Sequence, residues 1–238
     1  MPYIKLTAER DVRKVFKKGE VISLDFDMYD VPEIIIVGRN GSGKSTLVNA
    51  IRVFKCDNVK KNSKSLYEGD NKMHLERAFS VDTDFEKIFV VSSEQDDPLS
   101  MNNAYDACMF VDLGGFQTYH VSKGQRFQVL FSKFIKDNRD SFDSKTLVIL
   151  DEPDNGFDLK TQNMMSDLPF MMSLKHECKF LVVSHSVMHL MKSLTGMVYD
   201  LEKREFVDGK EYIKEVTGLD IVVNRNVDNK KDGTVKQS

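Results

Sequence analysis

The sequence predicts an α/β fold, with a mainly parallel sheet flanked by helices, and three observations support this prediction. Four short apolar runs, rich in β-branched residues and lacking a period-2 alternation, are spread along the 238 residues. Such runs are typical of strands that are covered on both faces. Three of the runs end directly on polar residues, and the first leads into a glycine-rich loop that separates it from a segment with helical apolar spacing.

The elements follow in order along the chain. Near the N-terminus, Ile22, Leu24 and Phe26 alternate with polar residues, which predicts a half-covered strand that begins an antiparallel piece. The four apolar runs are residues 34–37, 88–91, 147–150 and 180–183. In open α/β sheets, ligands bind beyond the carboxyl ends of the parallel strands. The polar residues that follow these runs therefore predict one shared site.

The first run leads into a loop that fits the pattern G-x-x-x-x-G-K-[ST]. Its glycines let backbone N–H groups curl around phosphate oxygens, and the start of the following helix contributes its positive end. Lys44 can reach the outer phosphates, and Ser45 can ligate Mg²⁺. The predicted nucleotide-binding loop consists of Gly38, Arg39, Asn40, Gly41, Ser42, Gly43, Lys44, Ser45 and Thr46.

Two further motifs carry candidate chemistry. Asp151 and Glu152 follow the third run, where one carboxylate can hold Mg²⁺ and the other can poise a water for attack on a γ-phosphate. The segment 122–125, Ser-Lys-Gly-Gln, fits a helix-capping box and also an anion site at the same helix start. The two interpretations of this segment are compatible with each other.

In this order, the motifs resemble those of the ABC-type ATPases, from the strand before Gly38 to about Gly209. The glycine-rich loop resembles Walker A, residues 147–152 resemble Walker B, and residues 198–201 with 205–209 resemble the hairpin that closes the nucleotide domain. The remaining matches are Gln95 for the Q-loop, Ser122-Lys123-Gly124-Gln125 for the signature S-G-G-Q, Asp158 for the last acid of the D-loop at 155–158, and His185 for the switch histidine.

The resemblance implies hydrolysis of ATP with Mg²⁺, in a head-to-tail homodimer that encloses two nucleotides. The implied catalytic residues are Glu152 as general base, Lys44, His185 and Gln95, and the implied Mg²⁺ ligands are Ser45, Gln95 and Asp151. Each ATP would also contact the second chain, where the nucleotide-binding candidates are Ser122, Lys123, Gly124, Gln125 and Asp158. Lys123 stands where the signature S-G-G-Q of the family has its first glycine, and the Lys123 ammonium either pairs with a γ-phosphate or faces solvent.

Two departures from the family's pattern concern the nucleotide base and the partner. No clear adenine-stacking aromatic is present near the N-terminus; Phe16 is the nearest candidate, and we expect it to be a buried core residue instead.

The segment between Gln95 and Ser122 is short for the helical subdomain with which transporter ATPases grip their membrane subunits. The resemblance is therefore closer to soluble RecF-like and SMC-like ATPases, with a reduced helical subdomain at about 96–140 and a nucleic-acid or protein partner in repair or defence. A transporter subunit and a low-turnover regulatory switch are the alternatives.

Charge, the length of the apolar runs and the cysteine spacing limit the class of protein and its expected location in the cell. Lys and Arg number 34 and Asp and Glu 37, for a net charge of −3, so charge alone does not hold the chain to nucleic acid. No apolar run approaches the roughly 18 residues of a membrane helix, and three widely spaced cysteines form no Cys-x-x-Cys pair. We expect a soluble, cytoplasmic ATPase domain over residues 1–223, without direct membrane insertion, and a disordered polar tail over 224–238.

Two rival interpretations use other motifs. Residues 112–115 match D-x-x-G and residues 229–232 match the guanine-binding N-K-x-D of GTPases, but no apolar strand directly precedes the second match. His185 and His189 have the i, i+4 spacing of metal ligands on a helix, yet Ser186 stands where H-E-x-x-H requires a glutamate. The GTPase interpretation also leaves Asp151, Glu152, Ser122 and His185 unexplained, and no third ligand is evident beside the two histidines.

Overall fold

The computed structural model describes residues 2–12, 14–26, 31–55, 78–92, 123–154, 156–192 and 196–218. The strands in these ranges are β1 (Tyr3–Ala8), β2 (Val21–Asp25), β3 (Glu33–Val37), β4 (Phe79–Thr83), β5 (Lys87–Ser92), β6 (Thr146–Asp151), β7 (Lys179–Val183), β8 (Met197–Asp200) and β9 (Glu205–Asp208). The helices are α1 (Lys44–Lys55), α2 (Lys123–Asn138), α3 (Leu159–His176), α4 (Val187–Lys192) and α5 (Gly209–Thr217), and a 3₁₀ turn at Arg139–Ser141 follows α2.

The larger sheet has six strands in the order β5-β6-β7-β3-β8-β9. Neighbouring strands from β5 to β8 pair in parallel, and β9 pairs with β8 in antiparallel fashion. The four apolar runs are the four adjacent strands β5, β6, β7 and β3, whose residues are almost all buried. The predicted mainly parallel sheet is therefore confirmed, and so is the predicted C-terminal hairpin, which is β8 and β9.

A smaller antiparallel sheet, in the order β2-β1-β4, packs against the larger one. Burial alternates along β1 and β2, so that Ile4 and Leu6 pair in register with Leu24 and Ile22 on the buried face. This alternation is the expected pattern of a sheet with one covered face. The predicted antiparallel piece is confirmed, and β1 and β4 complete it.

The two faces of the larger sheet bury separate clusters, because successive side chains along a strand point to opposite faces. On one face, Ile149 and Leu181 pack with α1 and the antiparallel sheet. On the other, Val148 and Phe180 pack with Phe131 of α2 and with α3. Burying one such side chain contributes roughly 1.5–3 kcal/mol. Helices and sheets thus cover both faces of the parallel strands and leave the carboxyl edge free to carry polar groups.

The structure describes only part of the predicted helical subdomain at 96–140, since residues 93–122 lie outside the described ranges. Within that subdomain, α2 begins at Lys123, directly after the predicted cap residue Ser122. The predicted tail at 224–238 also lies outside the described residues. Among the helices that are described, none combines the length and the hydropathy needed to cross a bilayer.

Candidate active site

The register of the parallel strands places the Walker residues at one edge of the sheet. Asp151, the last residue of β6, stands opposite Ser92 of β5 on one side and Val183 of β7 on the other. Val183 in turn stands opposite Ile36 of β3, one residue before the end of that strand. The glycine-rich loop, Asp151 and His185 therefore all follow strand ends at the carboxyl edge, as the sequence predicts.

Gly43 shows why the loop needs glycine next to its lysine. Its φ of +102° lies in the region that side chains disfavour. A Cβ on Gly43 would lie 2.6 Å from Val15 Cγ1 and 2.7 Å from Phe16 Cε2. The loop thus rests directly on the N-terminal segment, with no space for a side chain between them.

Lys44 points back into the loop. Its Nζ donates to the carbonyl oxygens of Gly38 at 2.6 Å and of Arg39 at 2.9 Å, and the side chain is buried. Burial lowers the pKa of the Lys44 ammonium, although the nearby Glu152, Glu202 and Asp151 carboxylates oppose this shift. The ammonium is therefore held within the curve of the loop, among backbone carbonyl oxygens.

The Walker B residues differ in their local structure. Ser92 Oγ donates to Asp151 Oδ2 at 3.4 Å. Glu152 leaves the strand with a φ of +51°, and its N–H donates to the carbonyl oxygen of Val183 at 2.9 Å. A left-handed conformation at a non-glycine residue costs of order 1–3 kcal/mol and is maintained by its surroundings. Here it turns the Glu152 side chain into the cleft at the strand ends, which Glu152 lines.

The donors at this edge suit Mg²⁺. Asp151 offers a carboxylate at the end of β6, and the Ser45 hydroxyl is exposed in the first turn of α1. Mg²⁺ prefers oxygen ligands and is usually held by one or two carboxylates together with substrate phosphates. The described residues contain no cluster of three or more His, Cys, Asp or Glu side chains that could form a protein-only metal cage. Asp151 and Ser45 therefore offer oxygen donors of the kind that hold Mg²⁺ together with substrate phosphates.

His185 lies in a cleft of about 550 Å³ at the ends of β6 and β7. The side chain is exposed. Partial desolvation, together with the Lys44 charge, lowers the pKa of the imidazole, and Glu152 and Asp154 oppose the shift. A neutral imidazole can donate one N–H to a phosphate oxygen. The cleft is lined by Asn40, Glu152, Asp154, Gly156, Gln162, His185 and Ser186.

The pairing of His185 and His189 as metal ligands is not supported by their surroundings. His185 is exposed in the cleft, whereas the His189 side chain is fully buried, with Nδ1 3.9 Å from Asp154 Oδ2. This distance is in the range of an ion pair but longer than a hydrogen bond. The two rings therefore face different environments.

Phe16 is a core residue, as expected. It is 1% exposed and contacts Phe79 edge to face, with ring centroids 5.3 Å apart. The Arg204 guanidinium lies 4.5 Å from the Phe16 ring centroid and donates to the Val15 carbonyl oxygen at 2.7 Å. Phe16 thus supports the glycine-rich loop from behind and offers no face to an adenine.

Asp158, the last acid of the D-loop, has a structural partner within its own chain. It is the N-cap of α3, and its Oδ1 accepts from the Thr161 N–H at 2.8 Å. This bond lowers the pKa of the exposed carboxyl group. The cap fixes the end of the D-loop at the start of α3, whether or not a second chain contacts it.

Several predicted site residues fall outside the described ranges. They are Gln95 and Ser122, together with both GTPase-like segments, 112–115 and 229–232. Lys123, Gly124 and Gln125 form the first turn of α2. The contribution of these residues to the site remains a prediction from the sequence.

Sequence reasoning missed a set of buried polar residues in and behind the wall of the cleft. Asp154, Ser184 and Ser186 are buried, and Gln162 of α3 bonds to Ser186. One signal was available, because Ser184 and Ser186 flank His185 directly. Asp154 had no comparable signal, since its partners lie 30 or more positions away in the chain.

Comparison with known proteins agrees with this geometry. The family described as an AAA domain matches residues 12–181, well over half of the chain. The zinc import ATP-binding protein ZnuC of Buchnera aphidicola subsp. Acyrthosiphon pisum (strain APS) is 26% identical over 175 residues, which are 69% of this chain and 67% of that protein.

Two solved structures share the fold. The ADP conformation of MJ1267, an ATP-binding cassette of an ABC transporter, has a TM-score of 0.52 at 16% identity, covering 92% of this chain and 95% of that one. A structure described as an inward-facing conformation of a metal-chelate type ABC transporter has a TM-score of 0.51 at 16% identity, covering 92% and 89% of the two chains. With the loop, the Walker carboxylates and the hairpin all in place, the chain belongs to the AAA domain family and is an ABC-type P-loop ATPase.

Proposed function

We propose that two copies of this chain close head to tail around two ATP molecules and that hydrolysis opens the pair. The observation that carries this proposal is the arrangement of Lys44, Asp151, Glu152 and His185 along one edge of the sheet, beside a cleft that is open to solvent. Phosphoryl transfer depends on positioning and on charge stabilisation, which such an edge supplies. The signature-like segment 122–125 and Asp158 of the second chain would complete each site.

Binding would begin at the glycine-rich loop. Lys44 would exchange the Gly38 and Arg39 carbonyl oxygens for β- and γ-phosphate oxygens, and the N–H groups at the start of α1 would face the same phosphates. Because burial already disfavours the ammonium charge, pairing it with phosphate gives a large electrostatic gain. Ser45, Asp151 and Gln95 would hold Mg²⁺, which when bound neutralises phosphate charge.

Hydrolysis would depend on Glu152 and His185. Glu152 lines the cleft and would orient or deprotonate the attacking water, with Gln95 contacting the same water. The neutral His185 ring would donate to the γ-phosphate and register its loss. The strained backbone at Glu152 keeps the carboxylate on the cleft side of the strand end.

The Glu152→Gln variant tests this proposal. The amide keeps the shape of the side chain but cannot accept a proton, so ATP binding should persist while hydrolysis falls by about 10²–10⁴-fold. The variant should accumulate as a dimer in saturating ATP, measured by light scattering. Glu205→Gln, an exposed change on β9, is the matched control and should hydrolyse ATP normally. A variant that stays monomeric in ATP, or one that hydrolyses ATP at the normal rate, would contradict the proposal.

We further propose that the ATPase domain spans residues 1–223, acts in the cytoplasm and drives a nucleic-acid or protein partner. The short segment between Gln95 and Ser122 supports this assignment. Stimulation of hydrolysis by DNA or RNA is the expected result for a nucleic-acid partner. Weak, unstimulated turnover with full ATP-driven dimerisation would indicate a regulatory switch.

A transporter subunit is the second candidate, because the similar protein from Buchnera is named a zinc import ATP-binding protein. Affinity purification of Glu152→Gln in ATP separates the two candidates. Recovery of nucleic acid or of a partner without membrane spans supports the first candidate, and recovery of a multi-span membrane protein supports the second.

A further inference from the structure

The two residues that flank His185 are both tied into a buried hydrogen-bond network. Ser184 Oγ accepts from the Ser186 N–H at 2.9 Å and so closes a turn around His185. The same hydroxyl lies 3.1 Å from each carboxylate oxygen of Asp154, to which it donates. Both serines are buried, whereas the His185 side chain between them is exposed.

Asp154 is the centre of this network. It lies two residues after Glu152 and is 6% exposed. Burial alone would raise the pKa of its carboxyl group, but His189 and Ser186 outweigh burial and hold the pKa below its ordinary value. The carboxylate is therefore kept charged in the wall of the cleft, where an unpaired buried charge would be strongly destabilising.

His189 is the buried neighbour of that carboxylate. The ring is 0% exposed, and its Nδ1 lies 3.9 Å from Asp154 Oδ2. Within the described part of the chain, neither ring nitrogen has a hydrogen-bond partner. Asp154 is thus the polar group toward which this buried imidazole is directed.

A second branch of the network reaches the D-loop. Ser186 Oγ donates to Gln162 Oε1 at 2.9 Å, and Gln162 Nε2 donates to the Phe157 carbonyl oxygen at 3.0 Å. Both flanks of His185 are therefore held from the segment that follows Walker B. Ser184 is held by Asp154 directly, and Ser186 is held by Ser184 and by Gln162.

We propose that Asp154 is a positioning residue for His185: through Ser184, and with His189 beside it, the carboxylate sets where the imidazole stands in the cleft. The inference rests on the proposed role of His185 in hydrolysis. Asp154 itself acts through the serine turn and needs no contact with the γ-phosphate. A displacement of a reacting group by about 1 Å can lower a rate by about 10²-fold, so the network matters for kcat even though its members are buried.

A double-mutant cycle with His185 tests this inference. Asp154→Ala should lower kcat by about 10–100-fold and leave ATP affinity within about threefold of normal. In the His185→Ala background, Asp154→Ala should cause less than about a twofold further loss, because it acts through a group that is already absent. An equal loss in both backgrounds would overturn the proposal, and so would an unchanged kcat in the single variant.

Controls separate positioning from folding. Asp143→Asn changes another carboxylate that bonds to Thr146, at 2.8 Å, and to Lys87, at 2.7 Å, near the opposite ends of the strands. It should leave kcat normal. If Asp154→Ala does not fold, Ser184→Ala replaces it in the cycle, since this variant removes one hydroxyl and leaves the carboxylate in place.

A measurement without ATP distinguishes failure of this inference from failure of the proposed function. In the wild-type chain, the Ser186 N–H donates to Ser184 Oγ. Hydrogen exchange at the Ser186 amide should therefore accelerate in both Ser184→Ala and Asp154→Ala. Unchanged exchange in these variants would overturn the network even if the chain hydrolyses ATP. Accelerated exchange would support it even if His185→Ala proved to have normal turnover, a result that would contradict the proposed role of His185.

Discussion

Replacing Gly43 by alanine should destabilise the chain more than the same change at Gly41, although both residues belong to the glycine-rich loop. Both glycines have positive φ values, +102° and +86°. They differ in their surroundings: a Cβ on Gly43 would lie 2.6–2.8 Å from Val15 and Phe16, whereas a Cβ on Gly41 would have no atom within 4 Å other than those of the adjacent residues. The pair thus separates backbone strain from steric overlap.

The expected loss in the free energy of unfolding follows from these two contributions, backbone strain and steric overlap. A side chain in a disfavoured backbone region costs of order 1–3 kcal/mol, and this applies to both variants. Forcing extra volume into a packed contact costs about 1–3 kcal/mol more, and this applies to Gly43 alone, because the buried Phe16 ring cannot move aside easily. We therefore expect Gly43→Ala to lower the free energy of unfolding by about 1–3 kcal/mol more than Gly41→Ala.

Urea unfolding measured by circular dichroism provides the assay. With a slope of about 2 kcal/mol/M, a difference of 2 kcal/mol separates the two midpoints by about 1 M. Gly19→Ala, with a φ of +82° and nothing within 4 Å of its Cβ, is a second control for backbone strain away from the loop. Equal midpoints for Gly43→Ala and Gly41→Ala would refute the argument that the loop rests tightly on the N-terminal segment.

The remaining predictions concern a core ring, a thiol and a titration. Phe16→Ala should lower the free energy of unfolding by about 3–5 kcal/mol; weaker ATP binding with unchanged stability would instead favour adenine stacking. Burial raises the pKa of the Cys178 thiol to about 11, so few molecules carry the reactive thiolate at pH 8. Peptide mapping should therefore find Cys178 unmodified by iodoacetamide at pH 8 until urea is added. Rapid labelling of the folded chain would contradict the burial of this thiol. The NMR titration of His185 should have a midpoint below its ordinary 6.5 and move up in Lys44→Met, and a midpoint above 6.5 would count against the desolvated ring. The pKa of His185 is lower in the folded chain than in the unfolded chain, so the unfolded chain binds this proton more tightly. As the pH drops below about 6.5 toward the folded pKa, the effect of His185 on the free energy of unfolding should therefore become destabilising.

Local patterns were sufficient to predict the strands of the larger sheet and the loop. A strand buried on both faces needs apolar residues at every position, so β3, β5, β6 and β7 could be recognised without knowing their neighbours. The glycine-rich loop could be recognised because its backbone must approach phosphates closely. Other elements lacked such a signal. Apolar residues such as Met164 and Met171 of α3 are exposed and give the helix no single apolar stripe. On the buried face of β1, only Ile4 and Leu6 are large apolar residues, because the third buried residue is Ala8.

By itself, the sequence determined the family, the position of the glycine-rich loop and the residues that follow each strand, since all of these depend on neighbours within a few positions. Only the tertiary structure decided which strand ends meet. The strand β3 comes first of the four in the chain but lies beside β7, which brings the loop next to His185. The same packing brings Asp154 to Ser184, 30 positions further along, and places Phe16 behind Gly43. These contacts join distant segments, and no local pattern specifies them because they arise from the order of the strands and the shape of the buried core.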